Sequence, residues 1–176
     1  QVAFGPRVPN TIGHKNCAEY LINTLKSYCD TVIVQEAQLT AFDGNVLDSK
    51  NIIASFKPLR AKRVMLCAHW DTRPFADQES DPILQTHPII GSNDGGSGTS
   101  VLLGLAQYLK EYPVSQPVRL MFFDGEDFGR SGTGEMFLGS KHHADYLRRT
   151  TQKKWPLAVI IVDMVGDKDL EIFKET

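Results

Sequence analysis

The apolar positions of this chain follow two periods, and the switches between them mark its elements. From Gly13 to about Cys29, Cys17, Tyr20, Leu21, Leu25 and Tyr28 recur at helical spacing and predict an amphipathic helix. Thr31–Thr40 and Val46–Phe56 alternate instead, with β-branched residues, on either side of Ala41-Phe42-Asp43-Gly44-Asn45. Asp-Gly between two alternating runs predicts an antiparallel hairpin. Val64–Ala68 is continuously apolar and bounded by charge, the pattern of a strand covered on both faces. Val118–Phe123 and Leu157–Val162 predict two further strands, and a short one is expected near Leu170–Lys174. Ser100–Tyr112 reads as a strongly apolar helix stopped by Pro113, and a second helix is expected from about Glu135 to Arg149. Residues 1–12 read as extended, and Thr72–Ile90, rich in Asp, Gln, Pro and Thr, as an exposed loop bordering a cleft. Strands alternating with helices imply right-handed crossovers, so the predicted fold is a three-layer α/β/α sandwich with a mixed, centrally parallel sheet.

The apolar strands all run into side chains with chemistry. His69 and Asp71 follow Ala68, Glu126 and Asp127 follow the Val118–Phe123 strand after Asp124-Gly125, and Asp163 follows Val162. Between the first two lies the glycine-rich turn Gly91-Ser92-Asn93-Asp94-Gly95-Gly96-Ser97-Gly98, carrying one more carboxylate. In open α/β sheets ligands bind at the carboxyl ends of the strands. Each residue alone has an ordinary reading as a helix cap or a hydrogen-bonded histidine. Together they repel unless a cation or shared protons compensate them. One histidine among carboxylates suits zinc, which takes His nitrogen and Asp or Glu oxygen with about four ligands.

Composition narrows the partners. A net charge of −2 offers no basic surface for nucleic acid, and no apolar run approaches the roughly 20 residues that span a bilayer. Three cysteines do not make a complete disulfide framework. Cys17 and Cys29 would stand about 18 Å apart on one helix, and Cys67 reads as a core thiol.

AHWD at 68–71, GSNDGGSG at 91–98, FFDGED at 122–127 and VDMVG at 162–166 resemble, in order and spacing, the zinc-dependent aminopeptidase and glutaminyl cyclase family. The resemblance covers nearly the whole chain and implies the phosphorylase/hydrolase-like fold of the zinc exopeptidase type. It implies that Asp94 ligates zinc, bridging two ions in the two-metal members. It further implies that Glu126 is the general acid/base and Asp127 a ligand, where most relatives carry Glu-Glu. His69 and Asp163 match ligands of the second metal in the peptidases, with Asp71 orienting His69. In the one-zinc cyclases these positions hold no metal, and Asp163 joins a catalytic hydrogen-bond network. The family's last metal-binding histidine has no counterpart: His142 and His143 are the only histidines after Asp127, adjacent on a helix expected to be exposed. Residues 1–176 are therefore expected to be one zinc exopeptidase-like catalytic domain without its C-terminal part, and the resemblance implies export.

Two activities share this scaffold. An aminopeptidase would hydrolyse the first peptide bond with metal-activated water; a glutaminyl cyclase would convert N-terminal glutamine to pyroglutamate with one zinc and no water. Peptide or protein N-termini are the substrates either way. Eleven residues, Phe128 to Leu138, separate Asp127 from Gly139-Ser140, longer than the short turn of the ordinary aminopeptidases. That loop, with His69-Trp70-Asp71 followed by Thr72-Arg73-Pro74-Phe75, resembles the bacterial cyclases of the animal type. Trp70, Phe75 and Phe128 are candidates to line the substrate pocket, with core packing as their other reading. A non-catalytic binding domain on the same fold is the third reading, and Glu126 argues against it.

Overall fold

The computed structural model describes residues 1–60, 62–130, 133–150 and 155–171. Helix α1 spans Ile12–Tyr28 and opens on Thr11, whose side chain accepts a hydrogen bond from the His14 N–H. Cys17, Leu21 and Leu25, one turn apart, are completely buried, and each such leucine stabilises the fold by about 1.5–3 kcal/mol. Strands β1 (Thr31–Thr40) and β2 (Val46–Phe56) form the expected antiparallel hairpin. Asp43 closes the turn by accepting the Asn45 N–H, and Gly44 takes the left-handed backbone the turn requires.

The remaining elements are β3 (Val64–His69), α2 (Gly96–Glu111), β4 (Val118–Phe123), α3 (Leu138–Arg148) and β5 (Ala158–Ile161). The described strands form one mixed sheet in the order β1-β2-β4-β3-β5, with β3 parallel to both β4 and β5. The parallel trio lies to one side of this sheet, and β5 is an exposed edge strand. Helices α1 and α2 cover one face over Ile52, Ala68, Leu120 and Phe122; α3 lies on the other, where Ile53, Met65, Cys67, Met121 and Phe123 cluster. Because β3, β4 and β5 are parallel, His69, Asp124 and Asp163 leave the sheet along one edge.

Two helix starts differ from the sequence reading. Helix α2 begins at Gly96 rather than Ser100, because the glycines serve close packing as well as the turn. A Cβ on Gly98 would sit 2.2 Å from the Val162 carbonyl oxygen and 3.1 Å from Ala68 Cβ. Helix α3 begins at Leu138 rather than Glu135, because Phe137 adopts a left-handed conformation (φ 65°, ψ 34°) and donates its N–H to Glu126. The strand expected near Leu170–Lys174 falls mostly outside the described residues; Leu170 and Glu171 are not in a strand. Among the described residues, no helix is long and apolar enough to cross a membrane.

Candidate metal centre

His69 ends β3 almost fully buried, with its backbone carbonyl held by the Thr99 hydroxyl. Its Nε2 lies 2.9 Å from Asp94 Oδ1 and 3.4 Å from Asp163 Oδ1, and its Nδ1 lies 3.4 Å from Asp71 Oδ1. Neither ring nitrogen is aligned for a hydrogen bond. One donor atom from each of His69, Asp94 and Asp163 lies within 4.8 Å of the other two. Two ligands of a tetrahedral ion, each about 2.0–2.1 Å from it, stand about 3.3 Å apart. Separations of 2.9 and 3.4 Å between the His69 nitrogen and the two carboxylate oxygens lie on either side of that spacing, and the donor types and spacing fit a zinc ion. Burial disfavours the His69 imidazolium, but Asp163, Asp71 and Asp94 outweigh it and hold the ring well above its usual pKa.

Local backbone chemistry brings these groups together. The Asp94 turn presses on β3 through Gly95 (φ 74°), where a Cβ would meet the Asp71 carbonyl oxygen at 2.7 Å and His69 Cε1 at 2.9 Å. The turn after Asp163 passes through Met164 in a left-handed conformation. It is tied to the start of α2: Ser97 Oγ accepts the Val165 N–H at 3.0 Å, and Asn93 Oδ1 accepts the Gly166 N–H at 2.8 Å.

Glu126 and Asp127 are gripped from two sides. The fully buried Asp71 carboxylate accepts both their backbone N–H groups, each at 3.2 Å. Asp71 thus lies beside His69 Nδ1 and also seats the Glu126 loop. From the other side Phe137, Leu138 and Gly139 donate successive N–H groups to the carbonyls of Glu126, Gly125 and Asp124. Asn51, one residue before the β2–β4 ladder begins, accepts the Asp124 N–H and donates to the Gly139 carbonyl. Arg73 donates to the carbonyls of Asp127 and Gly129. Asp127 is 6% exposed and contributes nothing to the three-residue group, but its Oδ2 is buried without a hydrogen-bond partner, as a cation-binding oxygen would be. Burial pushes Glu126 up to about 7, with Asp71, Asp163 and Asp94 adding to it and His69 opposing. Burial, then Asp71, push Asp127 up to about 7 as well.

The aromatic residues chosen from the sequence lie elsewhere. Trp70 is fully buried, stacked on His14 at 4.4 Å and donating to the Lys50 carbonyl. Its side chain shares the α1/α2 face with Ala68, as strand alternation requires. Phe128 packs with Ala41 and Leu47, and Phe75 lies edge-on to Phe42 beneath the Arg73 guanidinium. A cavity of about 110 Å³ does open beside the acids, bordered by His69, Glu126, Asp163, Ile161, Phe123 and Phe137. Phe137 escaped the sequence reading because nothing in its neighbours announces a left-handed residue. His143 is not exposed: it is 2% accessible, with Nδ1 3.0 Å from Gln35 Oε1. It and Gly139, four residues apart, form the buried side of α3.

A sandwich whose parallel strands deliver a histidine and several carboxylates to one sheet edge has the architecture of the zinc exopeptidases. The chain belongs to Peptidase family M28, whose family model matches residues 51–176. It is similar to a solved Zn-dependent exopeptidase of Parabacteroides distasonis, 41% identical with a TM-score of 0.93 over 99% of this chain and 61% of that one. It is also similar to the glutaminyl cyclase of Bacteroides thetaiotaomicron bound to N-acetylhistamine, 39% identical with a TM-score of 0.87 over 96% of this chain and 59% of that one. Among curated proteins, aminopeptidase YwaD of Bacillus subtilis is 30% identical over 97% of this chain, which spans 34% of its length. The glutaminyl-peptide cyclotransferase of Drosophila melanogaster is 26% identical over 93% of this chain, which spans 46% of its length.

Proposed function

We propose that this chain carries the catalytic residues of a zinc-dependent glutaminyl-peptide cyclotransferase, which converts N-terminal glutamine of peptides to pyroglutamate with release of ammonia. The observation that carries this reading is the likeness, across 95–99% of the chain, to solved bacterial glutaminyl cyclases at 38–40% identity. Both helical layers share one sheet, which supports treating the residues as one catalytic domain.

Zinc, when bound, supplies a Lewis acid that polarises the γ-amide carbonyl and offsets the charge of the surrounding carboxylates. Asp94 and Asp127 would hold it, Asp127 through its unpartnered Oδ2. Glu126 takes a proton from the substrate α-amine, whose nitrogen then bonds to the γ-carbonyl carbon. Glu126 returns a proton to the departing amide nitrogen, which leaves as ammonia as the carbon–nitrogen bond breaks. Burial, which raises the Glu126 pKa, favours a carboxyl that can both take and return a proton. Asp71 and the Phe137 N–H fix the backbone that presents it, and Phe123 and Phe137 border the cavity beside it.

A second reading, hydrolysis of N-terminal residues by an aminopeptidase, is favoured by one feature. His69, Asp94 and Asp163 are gathered at metal-ligand spacing, the positions that would take a second ion. Offering the full-length protein a Gln-initiated and a Leu-initiated peptide separates the two. Ammonia from the first without cleavage of the second is the expected result; release of leucine would replace the cyclase assignment.

The shifted carboxyls also predict a proton count. Without metal, Asp127 holds its proton up to about pH 7, and a ligating carboxylate must give it up. Zinc binding should release protons at pH 6, and the release should decline as pH rises past 7. Calorimetry in two buffers of different ionisation enthalpy measures it; a release that rises with pH would contradict the shift.

A further inference from the structure

Arg7 precedes the residues matched by the family model, yet its side chain lies between the strand end that carries His69 and the turn that carries Asp94. It is completely buried. Its Nε donates to the Trp70 carbonyl at 2.9 Å, Nη1 to that of Ile90 at 2.8 Å and Nη2 to that of Gly91 at 2.7 Å. Its backbone is locked in turn, its N–H donating to Thr72 Oγ1 at 2.7 Å and its carbonyl accepting the Thr72 N–H. Trp70 stands between His69 and Asp71, and Gly91 opens the turn that carries Asp94. One planar cation therefore clips together the two segments that meet around His69.

Burying a guanidinium is costly unless its donors are satisfied, and an apolar side chain would fill the same space without that cost. Only arginine offers several donors in a rigid plane at fixed angles, and here they bond carbonyls from two separate stretches of chain. The fit leaves no slack: a Cβ on Gly91 would meet Thr72 Cγ2 at 2.3 Å and Arg7 Nη2 at 3.0 Å. We propose that Arg7 is a positioning residue for the metal centre, holding the Asp94 turn at a fixed distance from Asp71, whose carboxylate seats the Asp127 backbone, before any ion arrives. The proposal rests on the zinc reading above.

Arg7→Lys tests it in the full-length protein, because it keeps the charge and removes only the planar set of donors. Supports of metal ligands are typically worth 10–100-fold in affinity, so zinc affinity, measured against a competing chelator, should fall about tenfold or more. Thr72→Val, which removes the acceptor that seats the Arg7 backbone, should weaken zinc in the same direction, and Thr72→Ser should restore it. This pair decides the question if Arg7→Lys fails to fold. Leu25→Ala, in the core of α1, supplies the comparison for a merely structural effect. If Leu25→Ala lowers both melting temperature and zinc affinity as much as Arg7→Lys does, or if Arg7→Lys binds zinc like the wild type, Arg7 is not a positioning residue. A wild-type protein that binds no zinc would overturn the metal reading itself, and this proposal with it.

Discussion

Glu126→Gln is expected to lower turnover of the Gln-initiated peptide by about 10³-fold, while the purified protein keeps its zinc. The substitution preserves the backbone N–H that Asp71 accepts and the carbonyl that Phe137 donates to, so the loop stays in place. What it removes is the proton carrier, and positioned acid/base groups contribute about 10²–10⁴-fold. Asp94→Ala, by contrast, deletes a carboxylate that lies within 2.9 Å of His69 Nε2, and the protein should come off the column without metal. Zinc content and turnover measured side by side on both variants check the division of labour. Equal loss of zinc in the two would mean that Glu126 is a ligand and that the proton is carried by another group.

How much of this was legible in the sequence depends on the distance over which each signal acts. The hairpin was, because alternation and an Asp-Gly turn are local; its strands fall at Thr31–Thr40 and Val46–Phe56, as the pattern predicts. The meeting of His69 and Asp163 was legible too, since parallel apolar strands that end in polar residues share an edge, and the glycine-rich turn before α2 adds Asp94. The grip of Asp71 on the Glu126 loop was not, because a carboxylate that accepts two backbone N–H groups from residues 55 and 56 positions away leaves no local trace. Arg7, His14 and Asn51 escaped for the same reason. A polar residue in an extended stretch, on a helix or in a strand reads as solvated surface until the tertiary fold shows that it is buried. Trp70 was a different kind of miss. Strand alternation, carried one residue beyond Ala68 and His69, already assigns it to the face opposite the histidine. The start of α3 was lost to Phe137, whose left-handed backbone is imposed by the Glu126 carbonyl rather than by its own propensity.

Asp124→Ala is expected to cost about 3–5 kcal/mol of stability, because it leaves several buried hydrogen-bond donors unpaired at about 1–3 kcal/mol each. Asp124 has no solvent exposure. Its oxygens lie 2.9 Å from His14 Nε2, and they accept the Lys50 N–H at 2.6 Å and the Gly125 N–H at 2.9 Å. Burial pushes this carboxyl's pKa up and His14 works against the shift. Deleting the carboxylate strands three donors at once, on α1, on β2 and at the root of the Glu126 loop. In a protein of this size each kcal/mol lowers the melting temperature by roughly 2–4 °C, so the loss should be on the order of 10 °C. Asp124→Asn keeps an oxygen for the backbone donors and should cost less, about 1–3 kcal/mol. Urea unfolding of Asp124→Ala, His14→Ala and the double variant then separates the pair from its surroundings. If Asp124 bonds His14 as strongly as their burial implies, the double variant loses clearly less than the sum of the singles. Additive losses would mean that Asp124 serves only the Lys50 and Gly125 N–H groups, and that His14 acts through its stacking on Trp70.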